Sequence, residues 1–271
     1  MNKKVILITG ATSGIGYQTA EKLANQGHIV YGVGRNLEKI GQLKNVKSLY
    51  MDITDENSIK TVVNQIIEEQ NKIDILVNNA GYGSYGAIED VSIEEAKRQF
   101  EVNLFGLARL TQFVLPQMRK QREGRIINIS SMGGRFTNYF GAWYHATKYA
   151  LEAFSDALRM EVKDFGIDVS IIEPGGIKTE WGHIAADKLA QSSTGGVYEE
   201  RALKMAKAMH KQYNSKLLSN PNIVSNAISK AVNNKTPKVR YLIGFGAKPL
   251  VFLHAILPSR LFDSIVMNVS R

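Results

Sequence analysis

Tyr144 and Lys148 stand four residues apart in Trp143-Tyr144-His145-Ala146-Thr147-Lys148, and Ser131 precedes the tyrosine by thirteen residues. On a helix the spacing i, i+4 puts two side chains on one face. An ammonium beside a phenol favours the phenolate. A phenol that titrates near about 10 otherwise exchanges its proton poorly at neutral pH. The chemistry open to these residues is therefore proton transfer to or from an oxygen. Near the start of the chain, Thr9-Gly10-Ala11-Thr12-Ser13-Gly14-Ile15-Gly16 follows the apolar run Val5-Ile6-Leu7-Ile8. Gly10 permits a tight turn, and Gly14 and Gly16 let backbone and helix approach a phosphate. A helix beginning near Ile15 would aim its first amides at that anion. A tyrosine–lysine pair alone is a common surface feature, and a glycine loop alone can simply join a strand to a helix. Their occurrence together points to a nucleotide cofactor and a proton-transfer tyrosine in one domain.

The elements that must position these groups follow from periodicity. Apolar runs predict strands at Val5–Thr9, Ile29–Val33, Ser48–Met51, Ile73–Val77, Arg125–Ile129, Ile167–Ile172 and Val239–Ile243. Helical spacing is predicted at Ile15–Gln26, Asp55–Gln70, about 93–121, Trp143–Phe165, Tyr198–Tyr213 and Ile223–Asn233. Continuous Val/Ile runs separated by helices indicate a parallel sheet covered on both faces. Right-handed crossovers then give a doubly wound α/β sheet of the Rossmann type, whose ligands bind beyond the carboxyl ends of the strands. Thr9, Gly34, Asp52, Asn79, Ser131 and Pro174 fall at such ends. The reading is one catalytic domain over 1–271, with a substrate lid at 176–235 and an apolar tail at 249–271. The Gly176–Gly196 stretch, rich in Ser, Thr and Gly, reads as a mobile segment. In the next helix Leu203, Ala206 and Met209 are expected to form the apolar side and Lys204, Lys207 and Lys211 the polar one.

The 271 residues carry 44% hydrophobic and 22% charged side chains, an ordinary globular composition. The chain has no cysteine, which excludes disulfides and thiolate metal sites, and no metal is expected. An apolar run of four residues before the glycine turn is too short for a signal-peptide core, so a cytoplasmic location is expected. The net charge of +9 is concentrated: residues 201–248 hold ten Lys or Arg and no Asp or Glu, against 22 basic and 24 acidic residues in 1–200. Such a face is either ordinary solvated surface or a contact for an anionic partner. Peripheral contact with an anionic membrane is an open expectation. Nucleic acid is the less favoured partner, for which salt-dependent binding would be the sign.

With these blocks in order, the sequence resembles the short-chain dehydrogenase/reductase family, in its form with a Thr-Gly-x-x-x-Gly-x-Gly loop. The resemblance runs from Lys4 to Thr179 through Asp52, Asn78-Asn79-Ala80-Gly81, Asn103, Ser131, Tyr144-x-x-x-Lys148 and Pro174-Gly175-Gly176-Ile177-Lys178-Thr179. It implies that Tyr144 gives or takes the substrate proton, that Lys148 lowers its pKa and bonds the nicotinamide ribose, and that Ser131 bonds the substrate oxygen. Asn103 would hold a water linking Lys148 to solvent. Ser130 should point away, and His145 has no expected catalytic role. A cofactor-binding set follows: Gly10, Thr12, Ser13, Gly14, Ile15, Gly16, Arg35, Asn36, Asp52, Ile53, Asn79, Ala80, Gly81, Tyr144, Lys148, Pro174, Gly175, Ile177 and Thr179.

Within that set, Gly34 stands where an NAD-selecting enzyme would place an acid for the ribose hydroxyls. Arg35 follows it and could pair with a 2′-phosphate. NADP is thus expected, with NAD less favoured. Asp52 would bond the adenine amino group and Ile53 line its pocket. Met132, Phe136, Tyr139, Phe140, Trp143 and Trp181 suggest an apolar pocket for a lipophilic carbonyl or alcohol. A homo-oligomer is expected. The competing reading is a catalytically idle dinucleotide sensor on the same fold, although such a protein would be expected to lack one of Tyr144, Lys148 and Ser131.

Overall fold

The computed structural model describes residues 3–269. Strand β1 (Val5–Thr9) leads into α1 (Gly14–Asn25), and β2 (Ile29–Gly34) into the short α2 (Leu37–Gly41). Next come β3 (Val46–Tyr50), α3 (Glu56–Gln70), β4 (Ile75–Asn78), α4 (Ile93–Phe100) and α5 (Gly106–Gln121). Strand β5 (Gly124–Ile129) precedes α6 (Ala142–Glu161), and β6 (Ile167–Pro174) precedes α7 (Trp181–Ser192), α8 (Glu199–Asn214) and α9 (Asn222–Asn233). The chain closes with β7 (Arg240–Ile243), α10 (Ala247–Ile256) and α11 (Ser259–Val269).

All seven strands pair in parallel in the order β3-β2-β1-β4-β5-β6-β7. Alternate residues of one strand serve two cores, which is why these strands read as unbroken apolar runs. Ile6 and Ile8 of β1 pack with Leu23 of α1 and Ile228 of α9, whereas Val5 and Leu7 pack with Ile66 of α3 and Leu110 of α5. The order reverses direction between β1 and β4, and the crevice at that switch lies beyond Thr9 and Asn78. The doubly wound α/β sheet in a single domain is as predicted.

Local departures have local causes. Helix α2 leaves no periodic signal because it is one turn long, buries Ile40, and owes its start to the Asn36 carboxamide, which accepts from Lys39 N at 3.1 Å. Helix α6 stops at Glu161; Lys163–Phe165 is a separate 3-10 turn closed by Gly166 at φ +72°. The Gly176–Gly196 stretch, read as mobile, contains the ordered helix α7. Its inward face is Ala185, Ala186 and Leu189, packed on Ala202, Met205 and Ala206 of α8, so small side chains conceal its amphipathicity. Leu203 is exposed, a correction to the expected apolar side of α8. The tail is two helices parted at Leu257-Pro258, and no helix among the described residues is long and apolar enough to cross a membrane. Between α4 and α5 the helix widens into a π turn, Glu101–Phe105, of the kind that often marks a functional position, and Asn103 sits inside it.

Candidate active site

The glycine loop is shaped by contact with the end of β4. Thr9 Oγ1 accepts from Asn79 N and Ala80 N, both at 2.9 Å, and Asn79 Nδ2 donates to Thr9 O at 2.9 Å and Gly10 O at 3.2 Å. Gly10 has φ +67°, and a Cβ there would lie 2.9 Å from Asn79 Nδ2. A Cβ on Gly16 would collide with the Gly10 carbonyl. The backbone is thus held close and bare at the N-terminus of α1, the cradle an anion needs.

At the far end of β2, a Cβ on Gly34 would stand 2.8 Å from the Thr12 methyl, so the loop has closed over the place where an acidic side chain would be needed. Arg35 is exposed beside it and acts on Asp52. Burial pushes the Asp52 carboxyl up, but hydrogen bonds from Thr54 N at 2.9 Å and Thr54 Oγ1 at 2.7 Å, together with Arg35 and Arg98, leave it net lowered. Asn36 does not reach this wall: its side chain is engaged in capping α2.

One cavity of about 1510 Å³ runs from this loop, past Asp52, Ile53, Asn79 and Gly81, to Ser131, Tyr144 and Lys148. Pro174, Gly175, Ile177 and Thr179 line it from β6 and the residues that follow. Ser131, at the end of β5, opens a 3-10 turn, its Oγ accepting from Gly133 N at 3.0 Å. Tyr144 and Lys148 enter from the first turns of α6 and both are buried. Lys148 Nζ donates to Ile129 O at 2.9 Å.

The electrostatics differ from the expectation that Lys148 depresses Tyr144. Burial dominates: the Tyr144 phenol is pushed up to about 12, with the Ser131 hydroxyl the opposing influence. Burial likewise brings the Lys148 ammonium down to about 8, against the attraction of Glu152 one turn further along α6. Spacing placed the two on one helix face, but the lysine's reach goes to the β5 carbonyl and both groups lose water.

Asn103 does not line the cavity either. Its Oδ1 accepts from Tyr82 N at 3.0 Å, and its Nδ2 donates to Tyr82 O at 2.9 Å and Thr147 Oγ1 at 3.2 Å. It ties the segment after β4 to α6, close behind Gly81 and Lys148. His145 is structural, with Nδ1 at 2.8 Å from Gly133 O and Nε2 at 2.7 Å from Asn138 Oδ1. Ser130 carries its hydroxyl toward Gly134 and Glu152.

The outer half of the cavity is apolar. The Trp181 ring lies 4.9 Å from that of Tyr144, centroid to centroid, and Ile184, Met205 and Met209 extend the wall along α7 and α8. Leu250 and Ile265 line it from the two tail helices. Met132 and Phe136 are lining residues as anticipated; Tyr139, Phe140 and Trp143 are not. Tyr139 and Phe140 pack in the core with residues of α7 and α8. Sequence reasoning missed Tyr85, Asn138 and Tyr213, which also line the cavity, and an ion cluster behind it. In that cluster Arg240 of β7 meets Glu152 at 3.1 Å, Asp156 at 2.7 Å and Glu173 at 3.3 Å. Glu152 was legible in part, since it continues the i, i+4 line from Tyr144 and Lys148.

The fold and the site define a Rossmann-type oxidoreductase, and the chain belongs to the short-chain dehydrogenase family, whose model matches residues 4–189. It is 40% identical over 248 residues to 3-ketodihydrosphingosine reductase of Bacteroides thetaiotaomicron, covering 90% of this chain and 89% of the relative. Among solved structures, a short-chain dehydrogenase from Streptomyces avermitilis superposes with TM-score 0.79 and 30% identity, covering 100% of this chain and 98% of the other. Serine dehydrogenase complexed with NADP+ gives TM-score 0.77 and 27% identity, with coverages of 89% and 94%. The bare cradle at Gly10 and Gly16 and the length of the cavity fit a nicotinamide dinucleotide.

Proposed function

We propose that this protein is an NADP-dependent oxidoreductase that interconverts a carbonyl and an alcohol on a lipophilic substrate. The observation that carries the reading is the single cavity joining the glycine loop and Arg35 to Tyr144, and Tyr144 to an apolar wall. Gly10 and Gly14 would hold the pyrophosphate, with Gly16 packed behind them on the Gly10 carbonyl instead of lining the cavity as expected, Arg35 a 2′-phosphate, and Asp52 and Ile53 the adenine. A bound nicotinamide supplies or accepts the hydride. The remaining work falls to the chain's own side chains.

Ser131 Oγ donates to the substrate oxygen and holds it against the Tyr144 hydroxyl. A phenol near about 12 keeps its proton until an oxygen of alkoxide basicity develops beside it, so Tyr144 is poised as the acid for carbonyl reduction. Lys148, titrating near about 8, is still cationic at neutral pH and would hold the nicotinamide ribose beside Tyr144. Asn103, fixed in its π turn, keeps the Gly81 backbone against Lys148 and anchors a route for proton return from solvent. The relative that reduces 3-ketodihydrosphingosine supports a lipophilic substrate, and the NADP+ complex supports the cofactor.

The test is a homologous series of straight-chain ketones assayed with NADPH. Each methylene that enters the apolar wall should contribute about 0.8 kcal/mol, so kcat/KM should rise roughly fourfold per carbon until the wall is filled. A flat or falling series would remove the lipophilic part of the reading while leaving the oxidoreductase intact.

A further inference from the structure

Large apolar side chains stand in water around the opening of the cavity, and the chemistry above uses none of them. Leu217 is 67% exposed, Phe245 44%, Phe252 62% and Ile256 57%, whereas a globular surface usually scatters such residues singly. Gly176 fixes their neighbourhood: a Cβ there would lie 2.7 Å from the Leu218 side chain and 3.5 Å from the Phe245 ring. The loop that carries Leu217 and the approach to α10 therefore meet over the residues after β6. Leu217 lines the cavity and is exposed at once, so it marks the opening. Leu250 of α10 lines the same cavity. The opposite face of that helix presents Lys248, Phe252, Ala255 and Ile256 at spacings of three and four, all of them exposed.

Cations are interleaved with these side chains. Lys216 precedes Leu217, Lys248 stands one helical turn before Phe252, and Arg260 follows the Leu257-Pro258 break. All three are exposed, and among the described residues none is in an ion pair. From residue 201 to 262 the sequence has eleven Lys or Arg and no Asp or Glu, and Asp263 is the first acid after Glu200. A second copy docking through the same face would bring like charges together. An anionic bilayer offers acyl chains to the apolar side chains and headgroups to the cations. We propose that the outer face of α10, with Lys216 and Leu217 beside it, docks on an anionic membrane surface so that the cavity opens toward the lipid. Among the described residues no helix is long enough to span a bilayer, so the contact is peripheral. Phe252 and Ile256 sink below the headgroups while the Lys248 stem lets its ammonium reach back to them. A lipophilic substrate then passes from the bilayer to the apolar wall without crossing water. That purpose rests on the lipophilic-substrate reading; the contact rests on the exposed face and its charge.

The experiment sediments the full-length protein with vesicles of phosphatidylcholine alone or mixed with phosphatidylglycerol, at low and at high salt. The wild type should partition onto the mixed vesicles and not onto the neutral ones, and salt should weaken the partition by roughly tenfold or more. Replacing two exposed side chains together, Phe252→Ser with Ile256→Ser, should weaken it by at least about tenfold, since binding scales with the apolar area buried. Lys248→Gln should weaken it by about fivefold, the share of one cation near an anionic surface. None of these residues lines the cavity, so both variants should keep wild-type circular dichroism and wild-type turnover of a short, water-soluble ketone. If the double variant does not fold, Lys248→Gln and the salt series decide in the same sense. Equal binding to both vesicle types, no binding to either, or binding that neither variant weakens would overturn the proposal. Absence of binding together with a dimer that the double variant dissociates, seen by analytical ultracentrifugation, would overturn it in favour of a second copy on this face. Vesicle binding is read without turnover, so a protein that binds as described but reduces no lipophilic carbonyl counts against the substrate reading alone.

Discussion

Tyr144→Phe is expected to cut turnover by about 10²–10⁴-fold while leaving dinucleotide affinity within about twofold of wild type. The substitution keeps the ring that packs against Tyr85 and Trp181 and deletes only the oxygen proposed to transfer the proton. The phenol is buried and raised to about 12, so water has poor access to replace it as the acid. Initial rates and a titration of cofactor fluorescence separate the two quantities. A variant with more than about half of wild-type activity would refute the role, because a general acid is not that dispensable.

Arg35→Ala should weaken NADPH by about ten- to hundredfold and leave NADH nearly unchanged, the loss of a charge-assisted contact worth roughly 1.5–3 kcal/mol. Gly34 has no side chain to reward the unphosphorylated ribose, and the Thr12 methyl fills the space one would occupy. Arg35 is exposed and free to turn onto a 2′-phosphate, so the preference should weaken at high salt. Equal losses for both cofactors would mean that the guanidinium only supports the fold near Asp52.

The sheet was legible because its central strands are buried on both faces and cannot alternate, and because most are followed by a helix with apolar spacing. Thr9, Gly34, Asn79 and Ser131 could be placed at one edge from chain order alone. What escaped was fixed by features that periodicity does not carry. Helix α7 buries alanines, which weigh little in any hydrophobic pattern, and α2 depends on one capping side chain at Asn36. The spacing of Tyr144 and Lys148 revealed a shared face but not the loss of water, and water loss is what sets both pKa values. Tyr85 lies in the loop after β4 and Tyr213 at the end of α8, and the two line one cavity only once α8 has folded over it. Neither stands in a motif. Asn103 was found by its motif, but its hydrogen bonds to Tyr82 and Thr147 make it a brace behind the cavity wall rather than a lining residue.

The central claim is that hydride passes between a nicotinamide and a substrate carbon held against Tyr144. Reduction of a long-chain ketone with NADPH deuterated at the nicotinamide C4, followed by mass spectrometry of the alcohol, tests it most directly. The account predicts one deuterium on the carbinol carbon when one face of the labelled ring is used and none when the other is, with wild-type protein and not with Tyr144→Phe. Tight binding of the dinucleotide with no labelled alcohol from any carbonyl in a broad panel would contradict it, and would mark the protein as a dinucleotide-binding relative without this chemistry.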